Sequence, residues 1–499
     1  MSTIPITLKW GSRIFSNFEI HPSETGKEFK EAIAKVTGVL PEDQSVICKQ
    51  GWSGLLENDY VFTSDKIVPQ QKIILIGITR DQNHYRFDLQ GTTNLGSISS
   101  MNANDSSLIK KNPPGLININ NSCYINAVIQ LLHQVPEVVD AVQSLASVSI
   151  SGTNEKLLFE LGELFKKMKK SETALYPSNF VKEVRMSPKF NEMTRTDYAR
   201  IYKQQDADEF LSYLLSACQS VFRKNVTVEQ NENTNKQLET DSIIDDLFDY
   251  TVTCKYECME TDEVQYTEEH LNKLYCNIDG GAKAKIQVNN IYDGIQLSQE
   301  SIIEKHSDKL GKNAQWKKTT TITELPQYFY IQMVRFYWKE DPSEASGGYP
   351  CKIMRAVAFP DKLDAMKFID PEKAKKLAEY RSALNDPDLQ DSLRSVDDKY
   401  LKESLCESVC PYENALGPHL PLSFIGKYSL AGIVSHKGDR LDSGHYVSWI
   451  RMNNDNYDQW YKCDDNEVKS VYTDDIKNLK GGSENHSAYI LLYKREELF

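Results

Sequence analysis

Polar and apolar residues alternate from Ile4 to Trp10, and a second apolar run extends from Ile14 to Ile20, the period of two that a half-buried strand shows. A helical segment follows, with Phe29, Ile33 and Val36 placed on one face, and Gly38 and Pro41 end it. Two short apolar strands, Val46 to Cys48 and Ile73 to Ile76, complete the order strand, strand, helix, strand, strand within residues 1–80. From Arg80 the chain turns polar and rich in Ser, Asn, Thr and Gly, so residues 81–112 are expected to be a flexible tether ending at Pro113-Pro114-Gly115. Beyond it, Val128, Leu131, Leu132 and Val135 recur at helical spacing, and residues 113–499 must hold the large unit. Within that unit, Asp361 to Glu407 is strongly charged and helix-forming, which suggests a surface insertion.

Length agrees with this division, because 499 residues exceed what one compact core holds. The 40% hydrophobic and 26% charged fractions are ordinary for globular chains, and no apolar run nears the roughly 18 residues of a membrane span. Residues Met1 to Phe15 lack the basic start and apolar stretch of a secretory signal, so a reducing compartment, cytoplasm or nucleus, is expected. Ten cysteines without paired spacing fit free thiols better than a disulfide framework. A formal net charge of −13 disfavours nucleic acid as a ligand, since phosphate binding relies on dense Lys and Arg.

One of those thiols has the setting of a nucleophile. Gly115 to Ala127 passes from a turn into the helical pattern, with Ser122 expected as the N-cap and Cys123 at the helix start. Unpaired backbone N–H groups and the helix dipole there favour a negative sulfur, the form that attacks a carbonyl. Asn118, upstream on the same loop, can donate a side-chain N–H to the oxyanion that such an attack creates. The competing reading, a buried structural cysteine, would hold for most of the ten thiols but lacks this turn, cap and helix. Far downstream, two histidines compete as base. His445 is preferred, because Gly444 permits close backbone approach and the strand Tyr446 to Ile450 can fix the imidazole, whereas His436 shapes the loop. Asp464, on the next strand, is the expected orienting carboxylate, and Asp465 points to the opposite face if that strand is regular.

Together, the segments Gly115 to Leu131 and Tyr428 to Asp465 resemble the Cys and His boxes of the ubiquitin-specific proteases. Gln204-Gln205-Asp206-Ala207-Asp208-Glu209, the strand Leu325 to Phe336 and the final Ala488 to Tyr493 also match that family. The resemblance implies an α+β, papain-like catalytic domain of fingers, palm and thumb, and hydrolysis of the isopeptide bond after ubiquitin's C-terminal glycine. It also implies that Gln205, Asp206 and Glu209 grip the ubiquitin tail, whose arginines pair well with carboxylates. Acidic residues at helical spacing are otherwise an ordinary solvated face. Residues 1–80 resemble a ubiquitin-like β-grasp domain, with Ile47 near ubiquitin's exposed apolar residue. The combination is most similar to the proteasome-associated branch, so the implied partners are ubiquitin, its conjugates and the proteasome regulatory particle. Two loops, about Trp338 to Ile353 and Lys437 to Ser443, would partly cover the tail channel in the free enzyme.

The sequence departs from the family in three places. Asn120 stands where a small residue, mostly glycine, is usual, which implies a left-handed backbone that Asn tolerates. Cys463 replaces an aromatic residue before the Asp pair, leaving less packing behind Asp464. A four-cysteine zinc site has only Cys254, Cys258, His270 and Cys276 as candidates. On a strand the first two would lie roughly 13 Å apart, so no metal or other cofactor is expected. The main rival function is a ubiquitin-binding scaffold without turnover, followed by a cysteine protease acting on ordinary proteins.

Overall fold

The computed structural model describes residues 3–76 and 112–497, apart from 11–12, 38, 42–43, 49–51, 53–55, 64–66, 68, 70, 146–151, 196–199, 224, 231–233, 240–241, 279–286, 341–346, 386–423, 441–443, 452–458 and 484. The expected tether thus lies outside the described residues except for Asn112. The chain divides into two compact units, residues 1–109 with 192–202, and residues 110–191 with 203–499.

In the first unit, strands β1 (Ile4–Trp10), β2 (Arg13–Ile20), β3 (Ser45–Ile47) and β4 (Lys72–Ile76) join helix α1 (Gly26–Thr37). The sheet order is β2-β1-β4-β3, with β1 and β4 parallel and the outer pairs antiparallel. A parallel pair needs a crossover, and α1 lies in that connection. Ile6, Leu8, Ile20, Ile73 and Leu75 alternate inward onto Phe29 and Ile33, and Phe62 meets Phe29 edge-on at 5.1 Å. The expected helix face is off by one position. Val36 is 43% exposed, and the inward row runs Phe29, Ile33, Thr37 at spacings of four, with the Thr37 hydroxyl donating to Ile33 O at 2.8 Å. A buried Thr satisfied within its own helix leaves no apolar signal in the sequence. The side chain of Ile47 lies outside the described residues. The hairpin of β5 (Met193–Arg195) and β6 (Arg200–Tyr202) belongs to the same unit.

The second unit opens with helices α2 (Cys123–Leu132), α3 (Pro136–Ser144), α4 (Thr153–Lys170), α5 (Ser178–Val184) and α6 (Ala207–Phe222). All ten residues of α2 are buried, so it is a central helix rather than the one-faced helix that Val128, Leu131 and Leu132 imply. The two-stranded pair β7 (Asn225–Gln230) and β8 (Thr234–Glu239) and helix α7 (Ile243–Phe248) follow. Next come β9 (Tyr250–Cys258), β10 (Val264–Leu271), β11 (Leu274–Asn277), α8 (Ile291–Ser298), β12 (Glu300–Ser307) and β13 (Lys312–Ile322). A four-stranded sheet of order β10-β9-β13-β12 buries Cys254 and Cys258 on β9.

The largest sheet, eight-stranded, uses β11, β14 (Tyr328–Val334), β17 (Lys362–Asp364), β18 (Phe424–Lys437), β19 (His445–Arg451), β20 (Gln459–Asp464), β21 (Glu467–Tyr472) and β22 (Ser487–Glu497). Its order is β11-β14-β22-β18-β19-β20-β21, with β17 added to β18. One core joins α2, α4 and α6 to Tyr330, Val434, Tyr446 and Ile490 of this sheet, which seats the start of α2 against β19. Arg335, fully buried after β14, donates to Ala488 O (2.7 Å), Ile353 O (3.3 Å), Arg355 O (2.9 Å) and Lys480 O (3.0 Å) and so replaces water for four carbonyls.

Two expectations on this unit change. The stretch Asp361 to Glu407 is not a surface insertion over its described part. β17 enters the sheet, and Leu363, Leu377, Tyr380 and Leu384 are buried, the last three on one side of α9 (Pro371–Leu384). Arg381 fixes that helix to Asp364 through two bonds of 2.9 Å. The two loops expected to cover the channel are joined to each other. Strands β15 (Phe336–Glu340) and β16 (Gly348–Lys352) form a hairpin, Lys352 N donates to Asp439 O at 2.8 Å, and Cys351 bridges to Arg440. The buried Lys352 ammonium donates to His436 O at 2.6 Å, and burial pulls its pKa down to about 7.

Candidate active site

Cys123 opens α2, and the loop before it is built from two consecutive left-handed residues, Asn120 (φ +55°) and Asn121 (φ +64°). The left-handed backbone expected at Asn120 is therefore present. Ser122 occupies the N-cap position but does not cap. Its hydroxyl turns back to accept the Ile119 N–H at 2.7 Å, and its own N–H donates to Asn118 Oδ1 at 3.0 Å. A local turn has captured the side chain that sequence reasoning assigned to the helix, the competition open to every Ser near a helix end. The consequence is chemical. The first N–H groups of α2 lack a side-chain acceptor at the point where the sulfur sits, so the helix start keeps its attraction for an anion.

His445 opens β19 directly after Gly444. A Cβ on Gly444 would lie 2.3 Å from Lys437 O and 2.4 Å from His436 Nε2, so only glycine lets the chain pass this close to β18. His445 Nε2 is 2.7 Å from Asp464 Oδ1, and Asp464 Oδ2 accepts from Lys462 at 2.9 Å. With Nε2 on Asp464, Nδ1 is the ring nitrogen left for the Cys123 thiol, which helps to raise the imidazole pKa. Asp464 and then Cys123 push the imidazole up to about 10, so it is an imidazolium at neutral pH. The same His445 bond, with Lys462, holds the Asp464 carboxyl well below the usual carboxylate range. Cys463 alternates to the other face and is buried with Ile450 and Tyr461, so Asp464 is placed without the usual aromatic neighbour.

Asp465 is the residue that sequence reasoning set aside. The strand does not continue regularly, because Asp465 takes φ +52° and starts a turn. Its carboxylate accepts Asn118 Nδ2 at 2.8 Å and Asn126 Nδ2 at 2.9 Å, and its carbonyl accepts Leu116 N at 2.8 Å. The carboxylate next to Asp464 thus fastens the loop and helix that carry Cys123, while burial pushes its pKa up. One N–H of Asn118 is engaged in this way, leaving its second for an oxyanion. The signal available in the sequence was the pair of Asn side chains flanking Cys123, each needing an acceptor.

His436 is fully buried on β18, meets the Tyr446 ring at 4.7 Å, and is driven down to about 3 by burial and by Lys352. A neutral ring deep beneath Gly444 fits a packing role. His486 lies behind His445 with ring centres 6.4 Å apart and is held down to about 4 by burial.

The residues expected to grip a substrate tail separate into two kinds. Asp206 is the N-cap of α6. Its Oδ1 accepts from Asp208 N (2.7 Å) and Glu209 N (2.9 Å), and its Oδ2 accepts from the Tyr489 hydroxyl at 2.5 Å. Both oxygens are engaged within the chain, so Asp206 caps α6. Glu209 is exposed and pairs with Lys189 at 2.8 Å, an exchangeable surface bond. Gln205 is half-buried beside it. Asp208, not singled out from sequence, is buried against Lys273 (2.9 Å) and the Tyr330 hydroxyl, with burial raising its pKa to about 6. Among the described residues, no group of three or more His, Cys, Asp or Glu side chains could hold a metal ion. His270 instead lies 3.3 Å from the Thr251 hydroxyl.

Residues 114–493 match the family described as ubiquitin carboxyl-terminal hydrolase. Among similar proteins, ubiquitin carboxyl-terminal hydrolase 6 of Schizosaccharomyces pombe is 32% identical, with 99% of each chain covered. Ubiquitin carboxyl-terminal hydrolase 7 of Arabidopsis thaliana is 28% identical over 98% of each chain. Ubiquitin carboxyl-terminal hydrolase 14 of Caenorhabditis elegans is 27% identical over 98% of this chain and 93% of its own. With a thiol, an imidazolium and a carboxylate gathered from three remote segments, and this family match over most of its length, the chain belongs to the ubiquitin carboxyl-terminal hydrolases and is a cysteine-type deubiquitinating enzyme.

Proposed function

We propose that Cys123 is the nucleophile, His445 the acid and base, Asp464 its orienting carboxylate and Asn118 an oxyanion donor, in a papain-like domain of fingers, palm and thumb. The observation that carries this reading is the 2.7 Å bond from Asp464 to an imidazole whose pKa that carboxylate and Cys123 both raise. Cys123, as the thiolate partner of the His445 imidazolium, attacks the carbonyl of ubiquitin's terminal glycine, and the carbonyl electron pair becomes an oxyanion facing the uncapped N–H groups of α2 and the second N–H of Asn118. The His445 imidazolium gives its proton to the leaving lysine amine as the C–N bond breaks, leaving a thioester. Water then adds with His445 taking its proton, and collapse expels the thiolate and frees ubiquitin as a carboxylate, its acid proton passing to the released amine. Asp206, Glu209 and Gln205 are the groups we assign to holding the ubiquitin tail.

A ubiquitin probe with an electrophilic C-terminus is expected to label Cys123 and nothing else. Cys123→Ala should abolish labelling and turnover but retain ubiquitin binding. Label on another residue overturns the assignment. Turnover surviving in Cys123→Ala would favour a different site, and binding without turnover in wild type would favour a scaffold.

The finer role we infer is trimming of ubiquitin from conjugates docked on the proteasome and its recycling, in cytoplasm and nucleus. Its support is the sheet order of residues 4–76 with one helix in the crossover, the β-grasp arrangement of a ubiquitin-like domain, which we take as the docking module. Removing residues 1–80 should cost co-purification with proteasomes and spare hydrolysis of a ubiquitin substrate. Unchanged co-purification refutes the docking role.

A further inference from the structure

We propose that Arg185 is a positioning residue for oxyanion stabilisation, acting by holding the backbone of the loop that precedes Cys123. The proposal rests on Cys123 being the nucleophile. Arg185 stands at the C-cap of α5, and its Nη2 donates to Ile119 O at 2.5 Å and to Asn120 O at 2.7 Å. These carbonyls flank the first of the two left-handed residues. Asn tolerates a left-handed backbone singly, whereas two in succession persist only where surrounding bonds fix them.

Other bonds also fix that loop: Asn118 is tied to Asp465, Ser122 N to Asn118, and Ile119 N to Ser122 Oγ. The guanidinium grips both carbonyls at its centre. In a trans peptide the N–H points opposite to its carbonyl, so pulling these two oxygens toward α5 sets the orientation of both peptide planes. The loop so fixed carries Asn118 at one end and the Cys123 N–H at the other, the two donors a tetrahedral oxyanion would use. A misplacement well under an ångström there weakens donors that must meet an oxygen at about 2.7–3.1 Å. A planar fork serves two acceptors at once, which a point-charge ammonium does not.

The test compares wild type, Arg185→Ala and Arg185→Lys as full chains. With ubiquitin carrying a fluorogenic C-terminal amide, Arg185→Ala is expected to lower kcat by about 10- to 100-fold, with KM changed by less than about twofold, and Arg185→Lys to recover part of the loss. Ubiquitin C-terminal aldehyde reports the oxyanion directly, since its addition to the Cys123 sulfur places the carbonyl pair on oxygen before protonation to a hemithioacetal. Its affinity should fall by the same factor as kcat. Alkylation of Cys123 by iodoacetamide displaces iodide and forms no oxyanion, so its pH–rate profile should be the same in all three proteins. Unchanged aldehyde affinity, or alkylation rates that fall together with kcat, would overturn the proposal. Turnover by Cys123→Ala would instead overturn the nucleophile on which it rests. If Arg185→Ala does not fold, Arg185→Lys, which keeps the charge and most of the stem, carries the same comparison.

Discussion

Replacing Asp465 by Asn isolates the contribution of the second carboxylate. The substitution keeps a residue that tolerates φ +52°, so backbone strain does not enter. The carboxylate accepts two N–H bonds, from Asn118 at 2.8 Å and Asn126 at 2.9 Å. An amide offers one acceptor and one donor in their place, so one of the two Asn side chains must face a donor. Each bond to a charged acceptor is worth roughly 1.5–3 kcal/mol, and an oxyanion donor lost outright costs about 2.7–4 kcal/mol. A displaced Asn118 should therefore lower kcat by between about tenfold and a few hundredfold, with KM almost unchanged. The assay is steady-state hydrolysis of a ubiquitin C-terminal fluorogenic amide by wild type, Asp465→Asn, Asn118→Ala and the double variant. Because Asp465 acts on the oxyanion through Asn118, its substitution should cost less than about threefold once Asn118 is already Ala. Two costs that multiply fully would show that Asp465 serves catalysis by another route, and the coupling argued here would be wrong.

Other expectations follow from the same geometry. In a Cys123→Ala background, the stability His445 gains from Asp464 should be complete below its unfolded pKa of about 6.5 and fade as pH rises through its raised folded pKa, so the Tm gap to Asp464→Asn closes toward alkaline pH. A gap that does not narrow as pH rises would contradict the raised imidazole. His436 has the opposite sign. It is buried neutral with a folded pKa near 3, so the unfolded chain gains a proton first and stability falls below about pH 6.5 by roughly 1.4 kcal/mol per pH unit. His436→Phe should flatten the urea-measured slope between pH 6 and 4.5 by that amount, and an unchanged slope would place a charge on the ring. Gly444→Ala, whose methyl would meet His436 and Lys437 O, should cut turnover at least about tenfold by displacing His445, and wild-type activity in that variant would refute the close packing.

Periodicity served best where side chains alternate between core and solvent. Strand β1 has the bounds its pattern implies, Ile4 to Trp10, and every strand of that sheet falls within a residue or so of its apolar run. It failed where the inward residue is polar, as at Thr37, and where charge outnumbers the apolar positions, as in α9, whose Leu377, Tyr380 and Leu384 are hidden among lysines and glutamates. The residues proposed to react were legible because a thiol at a helix start and a Gly-His strand carry chemistry in their local setting. The groups that steady them were not. Ser122, Asp206, Asp465 and Arg185 owe their bonds to partners 3 to 347 positions away, and short-range rules assigned Ser122 a cap and Asp465 an opposite face.

The pairing of Lys352 with Asp439 and of Cys351 with Arg440 makes one body out of two ribbons. A partner that displaces the hairpin must therefore break these two backbone links or carry residues 439 and 440 along with it.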